Sequence, residues 1–310
     1  MRSITRITLA LVMSVCIVSL LAQTTAAEEA FKDNSGKNLD VLRDGKPLLR
    51  HMYGRDDSTD EAKLATYKVY THVLDPAGEE VITKGPGGLY PHHRGIFIGW
   101  NKLKHGGKSY DHWHMTKGAL MLHREFTEKK ADKDSATFEA LIHWVDPEGN
   151  TLLEERRRMT VYFTDEKAHL LADLVSTLKA VDGEVELGGD PEHAGVQYRP
   201  HNEVSKNKSA AYTFHAEDIN PKKDRDLPWV AMNYKLGDHQ YTVQHMRHPS
   251  NPENSLYSAY RDYGRFGNFF VTKIADGDEL TLRYRFRITL GETPEREALA
   301  AEHEKYVDGE

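Results

Sequence analysis

Cysteine is almost absent from this 310-residue sequence, in which Cys16 is the only one. Cys16 lies in an N-terminal segment that we expect to be removed, so the mature chain would contain no thiol. Disulfides, thiolate metal sites and cysteine nucleophiles are then excluded together. A chain without such cross-links depends on the packing of its hydrophobic core for stability.

Long apolar segments are also rare, and the one that occurs is at the N-terminus. Arg2 and Arg6 supply positive charge, an apolar run extends from Ile7 to Ala22, and small residues occupy positions 25–27. The run is shorter than the roughly 20 residues that span a bilayer. We therefore predict a cleavable signal peptide over residues 1–27 instead of a membrane anchor. Export to the periplasm or the medium follows, without membrane contact after cleavage.

Positive charge is in deficit, with 41 Lys and Arg against 48 Asp and Glu, for a formal net charge of −7. Loss of Arg2 and Arg6 with the signal peptide would make it −7 − 2 = −9. An acidic chain cannot replace the counterions along a phosphate backbone, so a nucleic acid partner is excluded.

Apolar and polar residues alternate with a period of two in most of the long segments, and Asp, Gly and Pro separate these segments. Clear examples are residues 67–74, 136–145, 153–163 and 280–290. Successive strands without intervening helices indicate antiparallel pairing. We predict an all-β fold, a large antiparallel β-sandwich, that forms a single domain over residues 28–310.

The last alternating segment and the C-terminus give two further predictions. Leu280, Leu282, Tyr284, Phe286, Ile288 and Leu290 would face the core, and the arginines between them would face solvent or a ligand. A short C-terminal helix would start at Thr293 as N-cap, with Pro294 at its first position, and would run to about Tyr306.

Histidine is abundant, with 17 residues, and three groups of histidines lie beside Gly or Pro. The groups span residues 91–94 (Pro-His-His-Arg), 111–114 (Asp-His-Trp-His) and 190–201, which includes His193 and His201. In an extended chain, His112 and His114 would share one face, with Trp113 on the other. By the same alternation His193, Gln197, Arg199 and His201 would share a face.

We expect these groups to meet in one pocket, where imidazoles act as general acid and base near neutral pH. The predicted proton-transfer residues are His93, His114 and His193. The predicted substrate-binding residues are His92, Arg94, Asp111, His112, Trp113, Glu192, Gln197, Arg199 and His201. Aromatic side chains beside such polar groups are suited to a sugar, whose C–H faces pack on rings, so a small-molecule or oligosaccharide ligand is expected.

The sequence also resembles the PmoA-like family of secreted bacterial proteins. Four segments are similar, in order: residues 91–97, 111–114, 195–200 and 264–270. The resemblance implies a sandwich similar to aldose-mutarotase-like folds, which act on carbohydrates through histidines on an open sheet. A methane oxygenase subunit, which the family name suggests, needs several long apolar helices that this sequence lacks.

Three functions remain open at this point. The first is an exported carbohydrate-active enzyme that epimerises, eliminates or hydrolyses at a sugar by His-based acid/base chemistry. The second is a carbohydrate-binding protein without catalysis. The third is a metalloprotein in which histidines hold Zn or Cu, although no His-Glu-x-x-His pattern is present.

Overall fold

A computed structural model describes residues 29–309 of the chain. The predicted signal peptide, residues 1–27, lies outside the described residues. Within residues 29–309, no helix is long and apolar enough to cross a bilayer.

Most of the secondary structure of the described residues consists of twenty β-strands. The first ten are β1 Phe31–Asn34, β2 Asn38–Arg43, β3 Lys46–Met52, β4 Tyr70–Val73, β5 Ile96–Trp100, β6 Lys102–His105, β7 Lys108–Tyr110, β8 Leu120–Ala131, β9 Ser135–Val145 and β10 Thr151–Tyr162. The next ten are β11 Leu170–Ala180, β12 Val185–Gly188, β13 Ala194–Tyr198, β14 Ala211–Phe214, β15 Trp229–Leu236, β16 His239–Arg247, β17 Leu256–Tyr257, β18 Phe266–Phe269, β19 Thr272–Ile274 and β20 Glu279–Leu290. The α-helices are α1 Asp60–Ala65, α2 Asn202–Asn207 and α3 Arg296–Asp308.

These strands form two eight-stranded sheets and one four-stranded sheet. The first large sheet has the order β1-β2-β3-β4-β5-β13-β18-β17, and the second has β14-β15-β16-β20-β11-β10-β9-β8. The small sheet has the order β19-β12-β6-β7. Strand pairs such as β5 with β13 and β11 with β20 are antiparallel. The all-β prediction, with large antiparallel sheets and a short C-terminal helix, is confirmed.

The main core lies between the two large sheets. Tyr198 on β13 and Tyr234 on β15 join the sheets through their hydroxyl oxygens, which are 2.7 Å apart. The ring of Tyr198 also lies 6.4 Å from that of Phe286 on β20. Alternate residues of β13, such as Val196, are fully buried in this same cluster. The apolar residues of the period-two pattern therefore lie on the face of the strand that is turned towards the other sheet.

The closing strand β20 agrees with its prediction in part on each face. Leu282, Tyr284 and Phe286 are buried in the core as expected, but Leu290, at the strand end, is exposed. The opposite face is covered by α3: Arg287 lies 3.6 Å from Glu302, and the Arg285 guanidinium packs on the Tyr306 ring. The prediction of a solvent-facing or ligand-facing side holds for Arg283, which is exposed. It was wrong for Arg285 and Arg287, which are buried beneath the helix and form their shortest ion pairs with Asp173 and Asp165.

Helix α3 begins later than predicted. Glu295, not Thr293, is its N-cap, and the Glu295 side chain makes no capping hydrogen bond. Leu299 and Tyr306 are buried against Trp229 and Met246 of the second large sheet. Packing against the sheet, more than the capping sequence, therefore fixes where the helix lies.

Candidate functional site

The site is built on β5 and β13, which are neighbours in the first large sheet. Ala194 pairs with Trp100, so His193 precedes β13 at the place where β5 ends. The backbone N–H of Asn101 donates to the His193 carbonyl at 3.0 Å, and the N–H of His112 donates to the Trp100 carbonyl at 2.9 Å. Two turns that each contain histidine are thereby fixed to the same end of the sheet.

The turn at residues 111–115 is organised by one carboxylate. Asp111 Oδ1 accepts from the backbone N–H of Trp113 at 3.0 Å and of His114 at 2.8 Å. Its other oxygen, Oδ2, lies 2.9 Å from His114 Nδ1. The turn crosses β5 so closely that a Cβ on Gly99 would lie 2.4 Å from the His112 carbonyl oxygen. Glycine at position 99 is what allows this approach.

The turn at residues 190–193 repeats the arrangement. Asp190 Oδ1 lies 2.9 Å from His193 Nδ1 and accepts from the Glu192 N–H at 3.0 Å. Asn101 Nδ2 donates to Asp190 Oδ2 at 3.1 Å. In both turns a carboxylate binds Nδ1 of the histidine three residues later, which leaves Nε2 as the nitrogen available to a substrate.

The two Asp–His pairs lie side by side, and we call His92, His93, His114 and His193 the histidine cluster. The ring centroids of His114 and His193 are 5.1 Å apart. His92 lies 4.4 Å from His114 and 4.4 Å from His93 by the same measure. The side chains of His114 and His193 are 27% and 36% exposed. A ligand can therefore reach both rings from solvent.

The electrostatics of the site keep its carboxylates ionised. Burial by itself would raise the pKa of the Asp111 carboxyl, but the hydrogen bonds from the ring and N–H of His114 more than offset this, and the pKa falls below its usual value. The pKa of Asp190 is lowered in the same way, chiefly by its hydrogen bond with His193 against the effect of burial. Each histidine of the two pairs therefore has an anionic partner.

The other two histidines of the cluster are held neutral. Burial, reinforced by His114 and Lys68, lowers the pKa of His92 to about 3. Burial also brings the pKa of His93 well below its usual value. Arg199 Nε donates to His93 Nδ1 at 3.1 Å. Because His93 is almost fully buried, the geometry favours a supporting role for it over the predicted proton transfer.

Several predicted binding residues are buried away from the ligand-accessible surface. His112 is fully buried, hydrogen-bonds the Val145 carbonyl through Nε2 and stacks on Trp144. Trp113, also fully buried, packs with Phe97 beneath the histidine cluster. The prediction that His112 and His114 share one face, with Trp113 on the other, was wrong because residues 111–115 form a turn, not a strand.

Three predicted residues close to β13 have internal partners. Gln197 is fully buried and donates to the Ala194 carbonyl at 2.8 Å. Arg199 donates to Ser205 Oγ at 2.7 Å and to the Tyr263 carbonyl, and is also fully buried. His201 is the N-cap of α2 and accepts from the Glu203 N–H. Gln197 and Arg199 are thus buried supports without the predicted contacts with substrate, whereas for partly exposed His201 that contact stays a prediction.

Arg94 and Glu192 also have partners. Arg94 donates to the carbonyls of His93 and Leu64, each at 2.9 Å, and is buried. Glu192 accepts from the hydroxyl of Tyr260 at 2.8 Å and from Arg261 at 2.6 Å. Both residues therefore fix loops around the cluster.

Sequence reasoning missed two residues of the site, Asp190 and Lys68. Asp190 has a signal, because Asp-x-x-His occurs both at 111–114 and at 190–193. Lys68 has none, because it follows Tyr67 in an alternating segment. Its Nζ donates to the His92 carbonyl at 3.0 Å and to the Trp113 carbonyl, and lies 4.4 Å from the centre of the Phe97 ring.

A cavity of about 610 Å³ opens beside His92 and His114. Within residues 29–309, no group of three or more His, Cys, Asp or Glu side chains has a geometry that could hold a metal ion. The predicted Zn or Cu site thus has no supporting ligand set in this part of the chain.

The sequence model of a family of unknown function, DUF6807, matches residues 38–304. The chain belongs to this family. The match does not show the resemblance to PmoA-like proteins, which stays a prediction. Comparison with curated proteins gives no match.

Solved structures of several carbohydrate-active proteins are similar to the chain. A galactose mutarotase-like protein from Lactobacillus casei has 9% identity and a TM-score of 0.38, with 84% of this chain and 99% of that one covered. A galactose mutarotase related enzyme from Lactobacillus acidophilus has 10% identity and a TM-score of 0.30, with 73% and 95% covered. Heparinase III has 11% identity and a TM-score of 0.39 over 85% of this chain, which spans 36% of that protein's length.

Proposed function

We propose that this protein is an exported carbohydrate-active enzyme that moves protons at a sugar through His114 and His193. The proposal rests on the two Asp–His pairs. The ring centroids of His114 and His193 are 5.1 Å apart, and both rings are open to solvent. General acid/base catalysis needs two such groups within reach of one substrate.

The two Asp–His pairs define how each imidazole would act. A carboxylate on Nδ1 fixes the tautomer and stabilises the imidazolium that forms when Nε2 takes a proton. One ring would accept a proton from a sugar C–H or O–H, or from water. The other would return a proton to the carbon or to the leaving oxygen. Epimerisation, elimination and hydrolysis each require this exchange.

Aromatic and hydroxyl groups beside the cluster support a sugar as the substrate. Tyr90 is exposed, and its ring lies 5.2 Å from those of His93 and Tyr263. Such a surface packs against the C–H face of a pyranose, while imidazoles and carboxylates bind its hydroxyls.

The test replaces each catalytic histidine by asparagine, whose amide can still bond to the aspartate but which lacks Nε2. In His114→Asn and His193→Asn we expect turnover to fall by about 10²-fold or more, with an unchanged far-UV spectrum. His143→Asn is the matched control, because His143 is also partly exposed and lies 3.8 Å from Glu154 on the second sheet. It should keep wild-type turnover.

Activity would be sought with a panel of neutral, oxidised and uronic-acid oligosaccharides in D₂O, read by mass spectrometry. Deuterium in recovered sugar indicates epimerisation, an unsaturated product elimination, and a shorter chain hydrolysis. Full turnover in both variants would reject the assignment. Saturable binding without any product would instead establish the alternative, a non-catalytic carbohydrate-binding protein.

A further inference from the structure

The cavity beside the histidine cluster, which we call the side cavity, has two walls of different origin. One wall comes from α1 and the other from the exposed segment 86–91, and the cavity ends at the histidines. Its lining consists of Asp60, Glu61, Leu64, Ala65, Tyr67, Pro86, Gly87, Pro91, His92, Arg94 and His114. About 610 Å³ is a usual size for a small-molecule site. A substrate held at His114 would extend a neighbouring group into this space.

The arginine in the lining is not available to an anionic ligand. Arg94 donates to the backbone carbonyls of Pro91, His93 and Leu64. Its guanidinium also packs on the rings of Tyr67 and Tyr70, at 5.0 and 5.6 Å from their centres. The side chain is almost completely buried. Arg94 therefore builds the floor of the side cavity, and its Nε, which has no hydrogen-bond partner, is buried out of reach of a ligand.

The other formal charges in the lining are negative. Asp60 and Glu61 are exposed on α1, and Lys63 bonds to Asp60 at 3.2 Å. A carboxylated or sulfated group in the side cavity would meet these carboxylates, and Lys63, the cation beside them, is already paired with Asp60. A neutral group would incur no such repulsion.

The remaining surface is largely apolar. Leu64 is 64% exposed, and none of the residues of its helix, α1, is buried. Pro86 and Pro91 are exposed on the opposite wall. Exposed apolar side chains that face each other beside polar groups are a feature of ligand sites.

We infer that the side cavity binds a neutral group with an apolar face, such as the aryl or alkyl aglycone of a glycoside, joined to the sugar that reacts at His114. This inference rests on the proposed function, since the histidine cluster is taken to hold the sugar itself. It names the substrate class as neutral glycosides in preference to acidic polysaccharides.

The test measures binding by calorimetry, independently of turnover. The probes are phenyl, methyl and 4-carboxyphenyl glycosides of glucose, galactose and mannose, so that the charged group of the last is on the aglycone. We expect the phenyl glycoside of at least one sugar to bind about 5-fold or more tightly than its methyl counterpart. The 4-carboxyphenyl glycoside of that sugar should bind about 5-fold or more weakly than its phenyl glycoside, because its carboxylate would lie beside Asp60 and Glu61.

Two variants assign these preferences to the side cavity. Leu64→Ser should remove most of the phenyl advantage, whereas Val271→Ser, at a similarly exposed position outside the lining, should preserve it. Glu61→Lys should strengthen binding of the 4-carboxyphenyl glycoside, and Glu297→Lys on α3 should leave it unchanged.

Each of four results would overturn the inference: equal binding of phenyl and methyl glycosides, tighter binding of the 4-carboxyphenyl glycoside than of the phenyl glycoside, no binding by any probe, or an unaltered preference in Leu64→Ser. Its failure is distinct from that of the proposed function. Turnover without a phenyl preference rejects only the side cavity assignment, and a phenyl preference without turnover of any sugar rejects only the enzyme.

Discussion

At the scale of single residues, burial decides what a histidine does in this protein. His114 and His193 are partly exposed and have carboxylate partners, whereas His245 is fully buried among Tyr257, Tyr284 and Phe286. Burial alone lowers the pKa of His245 to about 3. The same residue type is thus a candidate catalyst in one place and a neutral core side chain in another.

The buried histidines predict a loss of stability in weak acid. Above pH 6.5, His245 is neutral in both the folded and the unfolded chain. Between about pH 6.5 and 3, the unfolded chain binds a proton that the folded chain does not, so the free energy of unfolding falls as pH falls. One such histidine contributes up to about 1.4 kcal/mol per pH unit to this fall in the free energy of unfolding.

Urea denaturation between pH 7.5 and 5 measures this effect. His245→Phe should make the fall in unfolding free energy less steep below pH 6.5, by about the contribution of one proton. His239→Gln, at an exposed position on the same strand β16, should retain the wild-type slope. An equally steep fall in His245→Phe would contradict the explanation.

At the scale of elements, the turns between strands form the site, and a buried lysine connects them. Lys68 bonds to the carbonyls of His92 and Trp113, which belong to different turns. Burial lowers the pKa of Lys68 well below its usual value, and an amine in either protonation state still has hydrogens to donate. We expect Lys68 to set the distance between His92 and His114.

Replacement of Lys68 by methionine tests this positioning role, because the volume is similar and the donors are lost. The activity of the Lys68→Met variant should fall about 10-fold or more. Its NMR spectrum should lose the cross-peaks between the rings of His92 and His114. Lys68→Arg should restore part of both. The surface variant Lys129→Met, which loses an ion pair to Asp33, is the control. Unchanged ring contacts in Lys68→Met would disprove the role.

At the scale of the whole molecule, export is a prediction from residues 1–27, which lie outside the described residues. Protein recovered from outside the cytoplasm should begin at residue 28 by N-terminal sequencing, because signal peptidase cleaves after small residues. Replacement of Arg2 and Arg6 by glutamate should leave uncleaved protein in the cytoplasm. Exported protein that retains residues 7–22 would contradict the prediction.

The sequence by itself determined the β architecture, because alternation is a local property. In β20, Leu282, Tyr284 and Phe286 recur every second residue, and this period alone separates a core face from the other face. It did not determine what covers the other face, since α3 reaches Arg287 only in the folded chain.

The tertiary structure alone decided how the residues of the site are arranged. The three histidine groups could be named from sequence, and the repeated Asp-x-x-His spacing identifies both carboxylates. That His112 points away from His114, and that Lys68 joins two turns, depended on how those turns pack on β5. Hydrogen bonds between distant segments fix such packing, whereas sequence spacing describes only neighbours along one strand.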